Sequence, residues 1–155
     1  MGILKPHQLE KIDETLEDFK CLLKRYRELK DNPVKLNYFF NRNRNPIWDI
    51  TNINFFKTGL KSEKVVESVD KNSVDDHFIQ RSKSIRFIFS ELDKNENMSL
   101  DEFIILIKKL CSTVKLTREE HNKVTSFAKK NPTYMNYQIY DECGINVQGI
   151  SNFIL

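Results

Sequence analysis

Alanine is almost missing from this chain: Ala128 is the single example in 155 residues. Glycine and proline are scarce as well, with four of each. So few turn-forming residues, and so little strict alternation of apolar with polar positions, argue against a turn-rich sandwich or barrel. They predict an all-α protein. No apolar run approaches the roughly 20 residues of a membrane-crossing helix. The N-terminus has no apolar stretch of the signal-peptide kind, and Pro6 stands where N-myristoylation wants Ser or Thr. Cysteine is limited to Cys21, Cys111 and Cys143. An odd count without framework spacing reads as reduced, structural thiols in a cytosolic setting. An excess of one charge is also lacking. The balance of 25 Lys and Arg against 22 Asp and Glu leaves a net charge of +3, too small by itself to imply a nucleic-acid partner.

Catalytic signatures are missing too. The three histidines, His7, His77 and His121, are scattered, and none has Cys or His at zinc spacing. There is no glycine-rich phosphate loop, nucleophile elbow or kinase signature. Asp75-Asp76-His77 reads as the solvated start of a helix, because acidic residues favour the first helical turn. The chain is therefore expected to be non-enzymatic.

What is present is helical periodicity. Pro6 marks a helix start, and Leu9, Ile12, Leu16, Phe19, Leu23 and Tyr26 follow at spacings of three and four, predicting a helix over 7–30. It ends near Asn32-Pro33, since proline disfavours helix in the residue before it. Lys24, Arg25, Arg27 and Lys30 complement the macrodipole at that end. Lys35, Arg42 and Arg44 extend the basic patch toward an anionic lipid or an acidic partner. Residues 41–54, with Pro46, read as a loop anchored by Trp48 and Ile50, and 64–69 as a short helix. Further helices are predicted at 82–92, 101–111 and 117–130, with one more from about Gln148. Thr117 and Glu120 form a capping box for the helix at 117–130.

The most informative stretch lies between two of these helices. In Asp93-Lys-Asn-Glu-Asn-Met-Ser-Leu-Asp-Glu-Phe103, oxygen-bearing Asp93, Asn95 and Asn97 alternate, and Glu102 opens an apolar helix. Alternating oxygen ligands closed by a bidentate Glu are the pattern of an EF-hand calcium loop. This one is shortened and lacks the glycine of the sharp turn, so calcium is expected to bind weakly or not at all. No other cofactor is expected. Glu28–Phe39 loosely repeats the layout of Glu91–Phe103, with Tyr38 in place of the terminal ligand. Gly144–Leu155 reads like the close of another such unit, with Gly149 in that place.

DKNENMSLDEF, then KLCSTVKLTREE, then GINVQGISNFIL resemble, in that order, the later part of the calmodulin and myosin light-chain family. The resemblance is good over about 82–155, loose over 7–45 and poor between. The same segments also resemble the EF-hand region of phosphoinositide phospholipase C. Either likeness implies paired helix-loop-helix units in one or two lobes, an N-terminal lobe over 1–80 and a C-terminal lobe over 81–155. It implies a cytoplasmic, cytoskeleton-associated adaptor that grips an amphipathic helix, such as a myosin neck, largely without calcium. Its groove is expected to be lined by Phe89, Leu92, Phe103, Ile107, Leu110, Phe127, Ile150 and Phe153. The plainer alternative makes all eight of these core residues. A phospholipase C-type scaffold and a weak calcium sensor are the other two functions in view.

Overall fold

A computed structural model describes residues 3–68 and 72–152. Of these, 67% are helical and 12% lie in strands that form one three-stranded sheet. The expected all-α class is thereby corrected to a mixed α/β fold. The chain divides into two compact units. Unit 1 takes the described residues up to Phe56 and Arg81–Lys108; unit 2 takes the rest of Lys57–Gln80 and the residues from Lys109 onward. The junction at residues 80 and 81 coincides with the expected lobe boundary, but the units interleave along the chain where the two lobes were expected in succession.

In unit 1, α1 (Pro6–Leu29) begins with proline in its first turn and buries Ile12, Leu16, Phe19 and Leu23 along one stripe. Asn32 caps α2 (Pro33–Asn43), its side-chain oxygen accepting from the Lys35 backbone N–H at 3.1 Å. The stretch expected as a loop contains α3 (Asn45–Thr51). Pro46 lies in its first turn, where a missing N–H costs nothing, so proline starts this helix instead of interrupting it. Two longer helices complete the unit: α5 (Arg81–Lys94) and α6 (Leu100–Cys111), whose last residues are counted with unit 2. Their stripes meet those of α1 and α2 in a cluster of rings. Phe89 lies 5.2 Å from Phe19, 5.1 Å from Phe39 and 5.4 Å from Tyr26 between centroids. These separations suit tilted and edge-to-face pairing.

In unit 2, β1 (Lys57–Lys61), β2 (Ser73–His77) and β3 (Thr113–Thr117) form the sheet in the order β1-β3-β2. β1 runs parallel to β3, and β2 antiparallel to it with Val74 opposite Leu116 and Asp76 opposite Val114. The acidic triplet expected to open a helix therefore stands inside a strand. Around the sheet are α4 (Glu63–Glu67), α7 (Arg118–Lys130) and α8 (Asn136–Glu142). The capping box at Thr117 and Glu120 is present and starts α7. The core gathers Phe78, Val114, Leu116, Val124, Ile139 and Tyr140. Where a helix was expected from Gln148, a single turn of 3-10 helix spans Ile150–Asn152. No helix among the described residues is long and apolar enough to cross a membrane. Cys111 is buried and Cys143 half-buried, but Cys21 is exposed, so it is not the core thiol its position on a helix suggested.

Candidate functional site

Asp93 closes α5 at the expected loop, and its carboxyl oxygens already have partners. Arg27 Nε donates to Oδ1 at 2.6 Å and Lys30 Nζ to Oδ2 at 3.2 Å, while Arg27 Nη1 reaches Glu96 at 3.0 Å. The hydrogen bond from Arg27, then that from Lys30, holds the Asp93 carboxyl below its ordinary range. The basic end of α1 thus does more than complement a macrodipole: it neutralises the loop. Glu102 turns back to cap α6, its Oε2 accepting from the Ser99 N–H at 2.7 Å and the Ser99 hydroxyl at 2.9 Å. The backbone bond comes first among the causes that lower its pKa. Asn95 and Asn97 are exposed. A calcium ion needs six or so oxygens. Here the first and last candidate ligands are engaged by donors of the protein, and no three His, Cys, Asp or Glu side chains among the described residues are placed to share a metal.

The described residues expected to line a groove are divided between the two units. Phe89, Leu92, Phe103 and Ile107 are fully buried in unit 1, and Leu110 is buried among the residues of unit 2. Phe127 and Ile150 are half-buried against the unit 2 core. Phe153 lies outside the described residues. The seven described positions are thus buried or half-buried, each within its own unit.

A groove lies elsewhere, on the surface of α1 and α2. It has a volume of about 740 Å³ and runs between α1 and α2. Leu22, Leu29 and Phe39 form its apolar floor. Val34 and Tyr38 stand on its α2 side, 81% and 68% exposed. Arg25, Lys35 and Arg42 edge it, and no acidic side chain lines it. On the other side of α2 a shallower depression of about 520 Å³ shares Val34 and includes Lys30 and Arg86. Exposed large apolar side chains beside a concavity mark binding surfaces more often than isolated ones do. One signal was legible: α2 carries two stripes. Leu36, Phe39 and Phe40 form the packed stripe; Val34, Tyr38 and Arg42, each four apart, form a second.

Unit 2 holds a different constellation. Asp76, 2% exposed, accepts from Tyr140 Oη at 2.5 Å and Asn136 Nδ2 at 3.2 Å on one oxygen, and meets His121 Nδ1 at 2.8 Å with the other. The hydrogen bond to Asp76 raises the His121 pKa, and burial first, then Asp76, raises that of Tyr140 well above its ordinary value. An Asp–His pair orients a base in hydrolases, but such a base also needs a nucleophile within hydrogen-bond reach. The partner the structure gives His121 is the Asp76 carboxyl. The constellation joins β2 to α7 and α8.

No family model matches the chain, and neither curated proteins nor solved structures give a match.

Proposed function

We propose that the protein is a non-enzymatic, EF-hand-like adaptor that binds an amphipathic helix largely without calcium, and that the helix lies in the groove between α1 and α2. The observation that carries this reading is the pair Val34 and Tyr38, left exposed beside an apolar floor. A helix laid in a groove buries apolar side chains at i, i+3, i+4 and i+7, and roughly 25 cal/mol is gained per Å² of apolar surface removed from water. The neutralised Asp93 loop supports independence from calcium, because Arg27 and Lys30 supply in place the positive charge a metal would bring. The resemblance to light chains makes a myosin neck helix one partner to test. A phospholipase C-type scaffold would use the same groove within a larger assembly.

A photo-crosslinking aromatic residue in place of Tyr38 tests the proposal. Irradiation of the full chain in cell extract, followed by mass spectrometry, is expected to join that position to a helical segment of another protein, with equal yield in calcium and in chelator. Crosslinks confined to the chain itself would overturn the proposal. A yield that requires calcium would favour the sensor reading instead.

A further inference from the structure

The charges beside the groove say which helix fits. Lys35 and Arg42 sit on α2 at positions flanking Tyr38, and no carboxylate pairs with either among the described residues. Arg25 is shared with Glu28 at 2.8 Å on its own helix. Past Val34 come Lys30, paired with Asp93, and Arg86, bonded to Asn37. Elsewhere in unit 1, Lys11 pairs with Asp49, Lys20 with Glu17 and Lys94 with Glu91. At Lys35 and Arg42, on the α2 edge of the groove, no such match is made, in a chain whose net charge is only +3.

We infer that the occupant is an acidic amphipathic helix, with an apolar stripe against Leu22, Leu29 and Phe39 and Asp or Glu on the flanks that face Lys35 and Arg42. The inference rests on the reading that the groove takes a helix, and it narrows the partner. A helix with Lys or Arg on those flanks meets like charge, which costs affinity and slows encounter. A membrane of anionic lipid shares the charge but is flat, and it does not reach a floor recessed between two helices. A compact small molecule fills the floor but leaves Val34 and Tyr38 uncovered.

The experiment uses the full chain and two fluorescent peptides of about 18 residues, long enough for several turns of helix. Both carry the same leucine stripe, one with Glu on both flanks and one with Lys. Anisotropy at low salt is expected to show the Glu peptide binding at least about tenfold tighter, the advantage shrinking as salt screens the rim. Lys35→Glu with Arg42→Glu should reverse the order, and Tyr38→Ala should weaken both peptides alike. Equal affinity, or a preference for the Lys peptide, with Tyr38→Ala still weakening both, would overturn the acidic partner and leave the groove standing. Binding of neither peptide would overturn the groove as well. Tighter association with phosphatidylserine vesicles than with either peptide, lost in the double charge reversal, would assign the surface to lipid and end the inference. So would concentration-dependent dimerisation abolished by Tyr38→Ala. All substituted side chains are exposed, so circular dichroism should report an unchanged fold.

Discussion

In unit 1 the deepest contacts include a cluster of rings, in which Phe89 meets Phe19, Phe39 and Tyr26. In unit 2 the deepest contacts include a carboxyl group, with Asp76 receiving Tyr140 and Asn136 and meeting His121. Ring packing is only weakly directional: it favours tilted and edge-to-face pairs but depends chiefly on volume and shape. A hydrogen-bonded hub works only when each partner is in place, and each missing one leaves a buried polar group unsatisfied. A unit whose core is held by helix stripes has residues to spare on its outer faces, and α2 uses them for Val34 and Tyr38. A unit whose core depends on directional bonds across β2, α7 and α8 is tied to one arrangement. The contrast sets an open apolar groove on the first unit against a hydrogen-bonded hub in the second.

The comparison breaks if the two cores respond alike. The largest effect is expected for Phe89→Ala. Loss of the central ring leaves a cavity among Phe19, Phe39 and Tyr26 and should cost about 3–5 kcal/mol. Amide exchange in α1, α2 and α5 is the measurement, and a loss below about 1 kcal/mol would show that the rings are not the keystone. Next comes Asp76→Ala, expected to cost about 3 kcal/mol, the low end for breaking a buried charged pair, because His121 is partly exposed. Amides of β2 and α8 should report it, and Asp76→Asn should recover part of the loss by keeping an acceptor. Full tolerance of Asp76→Ala would make unit 2 as weakly directional as unit 1.

The smallest effect is a pH dependence confined to unit 2. The Asp76 hydrogen bond raises the folded pKa of His121 above that of the unfolded chain. Its contribution is therefore complete below the unfolded value, about 6.5, and is lost as pH rises through the folded value. Burial and Arg118 oppose the shift, so it is partial. Thermal melts between about pH 6 and pH 8 should fall more steeply for the wild type than for His121→Gln, and parallel curves would remove His121 from the hub.

Much of the helical layout was legible because its causes are local. The stripe of α1, the stop before Pro33 and the capping box of Thr117 and Glu120 involve residues within a few positions of one another. The candidate site was legible only in part. Asp93 and Glu102 fall where the loop pattern put them, but that pattern did not contain Arg27 and Lys30, more than sixty positions away, which occupy the Asp93 carboxyl. Core and groove candidates look alike in a sequence, since both are apolar residues at helical spacing.

Sequence by itself determined where most of the long helices begin and end, and that the chain carries no signature of a common enzyme class. Tertiary structure decided the rest. The strands Lys57–Lys61, Ser73–His77 and Thr113–Thr117 are five residues each, and only the last alternates apolar with polar side chains. They are stabilised by ladder bonds to segments distant in the chain, which no local pattern encodes. Asp76 became a hub only when β2 brought it against Asn136 and Tyr140, some sixty positions on. The groove exists because α2 packs its Phe39 and Phe40 side inward and leaves Val34 and Tyr38 outward. Two stripes were written on that helix, and the neighbours that packed against it settled which one faces water.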